Sequence, residues 1–110
     1  IVKRQAVKLN PTKVKISDFN KKYYRITKLT INSLLLNNNQ YLITVGNFKN
    51  AAMALHYYNS IKDNRYVFSD VAKGNYDQFI ISTDNYPVFY KDKNIELYEL
   101  FFMKEYLKGN

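Results

Sequence analysis

The side chains that could carry out chemistry are few, and the sequence does not group them. His56 is the only histidine, and it lies on a predicted helix, off the apolar stripe that contains Ala54 and Tyr58. A histidine acts as a general base or a metal ligand only when partners hold it at fixed geometry, and the sequence places none beside it. We therefore interpret His56 as a structural residue.

The remaining candidate groups also lack catalytic spacing. The nine acidic residues form no Asp-x-Asp or Glu-x-x-His pair, and most lie at the ends of predicted elements, where capping explains them. No serine lies in a Gly-x-Ser-x-Gly elbow, and the three glycines form no phosphate-binding loop. The lack of cysteine excludes disulfides, thiol catalysis, zinc fingers and iron–sulfur clusters. We expect a protein that is not an enzyme and has no cofactor or metal.

The elements that position these residues follow the order strand, helix, strand, strand, helix, strand, with two further helices at the end. Asn10 and Pro11 start the first helix, which ends near Tyr24. Alternating apolar residues on both sides of Asn37-Asn38-Asn39 predict an antiparallel hairpin. The predicted strands cover residues 1–9, 27–36, 40–48 and 78–82, with a further short strand at 66–68, and the later helices begin near Asn50, Asp84 and Asn94.

This order predicts an α+β fold of the ferredoxin-like βαββαβ type. We expect an antiparallel sheet of four strands with two helices on one face, followed by extra C-terminal helices. The second face of the sheet would be open to a ligand or covered by those helices, so function is expected there. The chain has 110 residues, of which 46% are hydrophobic, and this is enough to build one contiguous hydrophobic core. Residues 1–110 are therefore interpreted as a single interaction domain.

Targeting signals are absent from the sequence as given. No window approaches the roughly 18 apolar residues that a membrane-spanning helix needs, so we expect no membrane insertion. The chain opens at Ile1 without the apolar core or cleavage site of a signal peptide, which indicates a piece of a longer protein. Both the cytoplasm and a bacterial envelope are compatible with a chain that has no disulfides.

A net charge of +8 points to an anionic partner such as nucleic acid, an acidic polymer or a lipid surface. However, 14 of the 17 basic residues are lysine, whereas recognition of bases and phosphates favours the planar fork of arginine. The lysines are also spread along the chain without a block of five like charges, which is typical of a solvated surface. The pattern favours a generic basic surface over a dedicated anion site.

The eleven tyrosines and seven phenylalanines are the most unusual part of the composition. Most are expected in the core, with tyrosine hydroxyls reaching water. Some tyrosines could instead form a platform for sugar rings or bases. The candidate ligand-binding residues are Tyr41, Thr44 and Asn47 on the hairpin, together with Tyr86 and Tyr90 near the C-terminal end.

The RNA-recognition fold shares the predicted element order and stacks bases on aromatic residues of its central strands. Residues 40–48 lack its Lys/Arg-Gly-Phe/Tyr-Gly/Ala-Phe consensus, and the first predicted strand contains no aromatic residue. Nucleic-acid binding is therefore supported mainly by charge.

One segment resembles the strand–Val-Gly-x-Phe–helix pattern of SPOR domains. It covers about a fifth of the chain and consists of Tyr41-Leu42-Ile43-Thr44-Val45-Gly46-Asn47-Phe48 and a helix with Ala51, Ala54 and Leu55. The resemblance implies a ferredoxin-like module that binds peptidoglycan glycan strands in the bacterial envelope. SPOR domains bind glycan with a sheet face, and that face is covered by the C-terminal helices in one of the two arrangements expected here. This departure favours a protein partner over glycan.

A second resemblance covers nearly the whole chain. It rests on Lys15-Ile16-Ser17-Asp18-Phe19-Asn20, on the tail Asn85-Tyr86-Pro87-Val88-Phe89-Tyr90-Lys91-Asp92-Lys93 and on the aromatic final helix. These segments are similar to the C-terminal domain of large tetratricopeptide-repeat lipoproteins of Bacteroidetes, which are linked to gliding motility and type IX secretion. The resemblance implies a location in the periplasm or cell envelope and a role as an interaction module beside helical repeats.

The sequence thus leads to three functional hypotheses. The first is a non-catalytic binding module of a bacterial cell-envelope protein, with a protein partner or peptidoglycan as its ligand. The alternative is a nucleic-acid-binding domain that uses the charge of +8 and a ferredoxin-like sheet. The third is a domain that folds against its parent protein and binds nothing else.

Overall fold

A computed structural model describes residues 1–3, 9–62, 64–69 and 76–106. The chain divides into two compact units, Ile1–Gln78 (unit 1) and Phe79–Asn110 (unit 2), and each is described by itself. This division does not decide whether residues 1–110 form a single domain, which stays a prediction. None of the helices in the described ranges is long and apolar enough to cross a membrane.

Unit 1 contains a three-stranded antiparallel sheet with the strand order β1–β3–β2. Its strands are β1 (Val2–Lys3), β2 (Thr30–Asn37) and β3 (Gln40–Gly46). The predicted hairpin is confirmed as β2–β3, in which Thr30 lies opposite Gly46. Asn37 stabilises its turn, because the side chain accepts a hydrogen bond from Asn39 N at 2.9 Å and donates one to Gln40 Oε1 at 2.8 Å.

Two helices, α1 (Leu9–Tyr23) and α2 (Ala51–Ile61), pack on one face of this sheet. Their positions confirm the two helices predicted for this part of the chain. α2 buries Ala54, Tyr57 and Ile61, so Tyr57 and not the predicted Tyr58 belongs to its buried stripe. The core combines residues from both helices, the sheet and the turn after α2: Ile16, Phe19, Tyr57, Ile61 and Val67, with Ile31, Ile43 and Val45 partly buried against them.

The prediction of a ferredoxin-like βαββαβ sheet with four strands is wrong. In the part of the chain that the structure describes, residues 78–82 form no strand, and residues 66–68 lie in a turn. The backbone of Tyr76 forms an isolated antiparallel bridge with Val2 and not a strand. The backbones of Ile1 and Asp77 exchange two hydrogen bonds of 2.7 and 2.8 Å. The architecture is still of the α+β kind, with an antiparallel sheet and separate helices.

The apolar run at residues 79–81 packs within unit 2 and not in the sheet. The Phe79 ring centroid lies 5.3 Å from that of Phe89 and 4.7 Å from that of Tyr98. The Ile80 carbonyl accepts a hydrogen bond from the Tyr98 hydroxyl at 2.6 Å. A short apolar run predicts burial without identifying the element that buries it. Here that element is a pair of helices.

Unit 2 contains two helices at the predicted positions, α3 (Tyr86–Asp92) and α4 (Ile95–Glu105). Pro87 lies in the first turn of α3, where its missing N–H removes no helical hydrogen bond. The Asn94 side chain caps α4 by accepting a hydrogen bond from Leu97 N at 3.0 Å. The predicted end of this helix at Gly109 lies outside the described residues.

Candidate functional site

The predicted hairpin residues Tyr41 and Thr44 do not form one site. They lie three positions apart on β3, and successive side chains of a strand alternate between the two faces of the sheet. Tyr41 shares the parity of Ile43 and Val45, which pack against α1 and α2. Thr44 belongs to the other face, where its hydroxyl donates a hydrogen bond of 3.5 Å to the Asn32 carbonyl. A ligand on one sheet face therefore reaches only one of the two.

Asn47, the third predicted hairpin residue, has a structural role. It follows β3 with a φ of 77°, in the left-handed region that asparagine tolerates better than most residues. Its Nδ2 donates a hydrogen bond to the Lys28 carbonyl at 3.2 Å. Lys28 also has a positive φ of 56°. The Asn47 side chain thus joins the loop at residues 24–29 to the loop at residues 47–50.

Tyr86 and Tyr90 are the two predicted ligand-binding residues that the structure brings together. They lie one turn apart on α3, with ring centroids 6.4 Å apart and ring planes inclined by 21°. Lys93 Nζ lies 5.0 Å from the Tyr90 ring centroid, within the range of a cation–π interaction. Tyr90 is exposed and Tyr86 is half-buried, so Tyr90 is the more accessible ring.

A groove with a volume of about 490 Å³ lies between α3 and α4. Its apolar wall is formed by Val88 of α3 and by Leu97, Leu100 and Phe101 of α4. These side chains are 59%, 63%, 66% and 41% exposed, respectively. The polar residues around the wall are Asn85, Asp92, Asn94 and Lys104. A concave apolar wall with a few polar groups is the usual form of a binding site.

Two apolar sides of α4 account for this groove. The inner side carries Tyr98 and Phe102, and Phe102 is only 2% exposed. The outer side carries Leu97, Leu100 and Phe101 at the spacing i, i+3, i+4. A helix that is apolar all round is normally buried on all sides. In the described ranges, however, the outer side of α4 faces solvent.

Tyr98 lines the groove as a neutral hydrogen-bond donor. Burial of its ring raises the pKa of the phenol well above the ordinary value, and Tyr106 adds a smaller effect in the same direction. The hydroxyl proton is held by the Ile80 carbonyl at 2.6 Å. Tyr98 is therefore suited to holding the groove wall in place and not to removing a proton from a ligand.

The partners of His56 do not form a catalytic arrangement. Its Nδ1 lies 2.8 Å from the Tyr24 hydroxyl, which donates to Ser60 Oγ at 3.0 Å. Ser60 Oγ donates in turn to the His56 carbonyl at 2.8 Å. The proton of Ser60 Oγ is used in its bond to the His56 carbonyl, and the direction of the bond between Tyr24 and His56 Nδ1 depends on the tautomer of the ring. Ser60 thus has no base to take its proton, and the cluster links the loop at residues 24–29 to α2.

The acidic side chains also show no catalytic or metal-binding grouping. Within residues 1–3, 9–62, 64–69 and 76–106, no group of three or more His, Cys, Asp and Glu residues could hold a metal ion. Asp18 accepts a hydrogen bond of 2.6 Å from the Tyr66 hydroxyl, which raises the pKa of Tyr66. This contact holds the turn after α2 to α1.

The two units differ strongly in net charge. Thirteen of the 17 basic residues and four of the nine acidic residues lie in Ile1–Gln78, which gives unit 1 a net charge of +9. Four basic and five acidic residues lie in Phe79–Asn110, which gives unit 2 a net charge of −1. The even spacing of lysine along the sequence therefore hides an uneven distribution of net charge.

Sequence reasoning did not single out Val88, Leu97 and Leu100, which the structure places in the groove wall. The signal for the last two is present in the sequence, because Leu97, Leu100 and Phe101 recur at helical spacing beside a second stripe of Tyr98 and Phe102. Two apolar stripes on one helix exceed what a single buried side requires. Val88 carries no such signal, because α3 has only seven residues.

Comparisons with known proteins do not assign this chain, since no family model, curated protein or solved structure matches it. The resemblances to SPOR domains and to tetratricopeptide-repeat lipoproteins thus stay predictions. The functional argument rests on the surfaces of the two units.

Proposed function

We propose that this chain is a non-catalytic binding module and that its groove between α3 and α4 receives an amphipathic helix of a partner protein. The observation that carries the proposal is the outer side of α4, where Leu97, Leu100 and Phe101 are exposed beside Val88. Such a contiguous apolar wall is typical of an interaction site, whereas single exposed apolar residues are common on any surface.

The shape of the groove favours a short helix as its occupant. α4 has 11 residues, which corresponds to a length of roughly 16 Å, so a partner helix of about three turns can lie along it. A helix binds such a groove through apolar residues at i, i+3, i+4 and i+7. Asp92 and Lys104 provide one charge of each sign on the rim. Acidic and basic residues flanking the partner's apolar stripe would therefore fix its direction.

The expected affinity is moderate. Full burial of one Leu, Val or Phe side chain contributes roughly 1.5–3 kcal/mol, and association costs at least about 4 kcal/mol in lost translational and rotational freedom. The four partly exposed wall side chains, together with about four apolar residues that the partner helix buries against them, then support a dissociation constant on the order of micromolar. Because the wall is apolar, we expect binding to change little with salt.

The experiment is a selection of amphipathic helical peptides on the immobilised full chain. Dissociation constants of the selected peptides are then measured by fluorescence anisotropy for the chain and two variants. Leu100→Lys places a charge in the groove wall and should weaken binding by at least about tenfold. Met103→Lys is the matched control, because Met103 is an exposed apolar residue of the same helix that does not line the groove.

Two outcomes would contradict this assignment. Selected peptides that bind Leu100→Lys and the unchanged chain equally well would remove the groove as the site. A concentration-dependent dimer in sedimentation equilibrium, lost in Leu100→Lys and kept in Met103→Lys, would identify the occupant as a second copy of the chain. The proposal retains the location in the bacterial cell envelope that the second resemblance implies, and fractionation of cells that express the tagged protein tests it.

Peptidoglycan is the second candidate ligand, and the stacked pair Tyr86 and Tyr90 favours it. An exposed tyrosine ring beside a lysine can pack against a sugar ring and bind an acidic substituent. Retention of the chain on purified sacculi, reduced several-fold by Tyr90→Ala, would support this candidate. Retention no greater than that of a control protein would remove it.

A further inference from the structure

Two neighbouring loops form one end of unit 1. Residues 24–29 connect α1 to β2, and residues 47–50 connect β3 to α2. They leave the sheet side by side, since Thr30 lies opposite Gly46. The hydrogen bond from Asn47 Nδ2 to the Lys28 carbonyl then joins them. These loops and the last turn of α1 are called the basic end of unit 1.

The basic end holds one aliphatic side chain in solvent. Ile26 is 91% exposed, the highest value among the exposed large hydrophobic residues in the described ranges. Its loop is fixed by hydrogen bonds from Tyr24 N to Asn20 O at 2.7 Å and from Thr27 N to Tyr24 O at 3.0 Å. The Tyr24 hydroxyl is bound to α2 through His56. These bonds hold the loop with Ile26 in solvent, where the side chain contributes no buried surface to the stability of the fold.

The charged residues that flank Ile26 in the sequence are all positive. Residues 19–62 contain no Asp or Glu. Tyr23 is 57% exposed, and Lys22 Nζ lies 5.3 Å from its ring centroid. This end thus combines a positive field with one aliphatic and one aromatic side chain. Its exposed basic residues are Lys21, Lys22, Arg25, Lys28 and Lys49.

Stabilisation of the helices explains only part of this charge. Lys21 and Lys22 lie in the last turn of α1, where positive charge is favourable beside the free carbonyl groups. Arg25 and Lys28 lie beyond that helix. Lys49 precedes the first turn of α2, where positive charge is unfavourable. Folding of unit 1 therefore accounts for neither these three cations nor the exposure of Ile26.

We infer that the basic end docks on the surface of an anionic lipid bilayer, with Ile26 entering the membrane interface. The basic side chains are attracted by the anionic headgroups. Ile26 leaves water for the boundary between headgroups and acyl chains, and Tyr23 lies at the headgroup level. The attachment is peripheral and uses unit 1 alone, so it does not depend on the groove of unit 2.

Nucleic acid shares the electrostatic attraction but fits the remaining features less well. It offers no extended apolar phase for Ile26. Its bases and phosphates are best recognised by arginine, and only Arg25 among the five exposed basic residues is arginine. A lipid surface needs only positive charge and an apolar anchor, and both are present.

Vesicle sedimentation tests the inference with the full chain. Vesicles of phosphatidylcholine that contain phosphatidylglycerol should bind at least about tenfold more strongly than phosphatidylcholine alone, and rising salt should weaken the binding. Arg25→Gln combined with Lys28→Gln should lower the partition coefficient roughly 25-fold, about fivefold for each charge. Ile26→Ser should lower it about tenfold.

A matched control separates the position of the charges from their number. Lys62→Gln combined with Arg65→Gln also removes one lysine and one arginine, but at the opposite end of α2, where both side chains are exposed. This variant should lower the partition coefficient by no more than about threefold. Equal losses in the two double variants would show that only net charge matters and would overturn the docking surface.

A fluorescent reporter tests the insertion of Ile26 directly. The chain contains no tryptophan, so Ile26→Trp introduces a single one at the tip of the loop. Its emission should shift to the blue on anionic vesicles, whereas that of Val14→Trp, at an exposed position of α1, should not. Unchanged emission of the Ile26→Trp chain on vesicles would overturn the insertion. Tighter binding to a single-stranded oligonucleotide, unaffected by Ile26→Ser, would assign the basic end to nucleic acid.

Discussion

The two units expose surfaces of opposite chemistry. The basic end of unit 1 has five exposed basic residues around a single aliphatic side chain, Ile26. The groove of unit 2 has a continuous apolar wall and one charge of each sign on its rim. Charge acts over a distance of about 10 Å and is weakened by salt, whereas apolar surface acts only on contact and is nearly insensitive to salt. Salt is therefore the simplest way to tell which unit holds a given ligand.

The comparison also shows how each unit separates folding from binding. In unit 1 the core lies between the sheet and two helices, while Ile26 and the basic residues of the basic end lie outside it, on two loops and the last turn of α1. In unit 2 a single helix serves both purposes, with Phe102 on its buried side and Leu100 on its exposed side. Substitutions of Ile26 and of Leu100 should therefore leave the free energy of unfolding nearly unchanged.

The largest expected effect is the difference between the two sides of α4. Phe102 is 2% exposed and Leu100 is 66% exposed. Phe102→Ala should lower the free energy of unfolding by about 3–5 kcal/mol, because it leaves a cavity, while Leu100→Ala should change it by less than about 0.5 kcal/mol. Urea unfolding followed by circular dichroism measures both. A large loss in Leu100→Ala would mean that the groove wall supports the fold and is not free for a partner.

The corresponding test in unit 1 concerns a buried hydrogen bond. The Tyr57 hydroxyl donates to Asn20 Oδ1 at 2.6 Å, and Asn20 Nδ2 is buried without a hydrogen-bond partner among the described residues. Tyr57→Phe should lower the free energy of unfolding by about 1–3 kcal/mol, because Asn20 Oδ1 would then be buried without a donor, in addition to Nδ2. Ile26→Ser, on the exposed loop, should cost less than about 0.5 kcal/mol. Equal effects of the two variants in urea unfolding would break the parallel with unit 2.

Ionisation of Tyr57 should lower the free energy of unfolding at alkaline pH. Burial raises the pKa of Tyr57 above its ordinary value of 10.0, against a smaller opposing effect of the Asn20 hydrogen bond. The folded state therefore holds this proton more tightly than the unfolded state does. Its contribution is complete below about pH 10, the pKa in the unfolded chain, and is lost as the pH rises above it. Urea unfolding at pH 8 to 11 should thus show a steeper decline for the unchanged chain than for Tyr57→Phe.

Local signals in the sequence predict most elements of the fold. Asn37-Asn38-Asn39 predicts the hairpin turn, and Asn94 predicts the start of α4, since each acts through hydrogen bonds to residues at most three positions away. The prediction of a fourth strand is wrong because nothing within residues 78–82 indicates which element will cover them. Phe79 packs on Phe89 and Tyr98, at distances in sequence that a strand pattern does not encode.

The candidate site divides in the same way. Tyr86 and Tyr90 come together because residues four apart on a helix are neighbours. Tyr41 and Thr44 do not, because an odd separation on a strand places them on opposite faces, and this could have been read from the sequence. The groove forms where α3 and α4 pack together, and the sequence does not encode that packing locally. The second apolar stripe on α4 is its only sequence signal. The net charge of +9 on unit 1 likewise becomes visible only when the chain is divided.

The smallest expected effects come from the helix caps. Their removal compares the stability of a helix start in unit 1 with that of helix starts in unit 2. The Asn94 side chain accepts a hydrogen bond from Leu97 N at the start of α4, and Asn50 accepts one from Met53 N at the start of α2. Asn85 makes no such bond at the start of α3. Asn94→Ala and Asn50→Ala should each cost about 1 kcal/mol, whereas Asn85→Ala should cost no more than a few tenths of this.

Removal of the two caps should affect binding differently, because the first turn of α4 contains a groove residue, whereas the first turn of α2 only adjoins one residue of the basic end. Loosening the first turn of α4 moves Leu97, one of four wall residues of the groove, so Asn94→Ala should weaken peptide binding several-fold. Loosening the first turn of α2 disturbs only Lys49 among the five basic residues of the basic end, so Asn50→Ala should change vesicle binding by at most about twofold. Anisotropy and vesicle sedimentation measure the two losses. A larger loss on vesicles would mean that the loop at residues 47–50, and not Ile26, dominates the basic end.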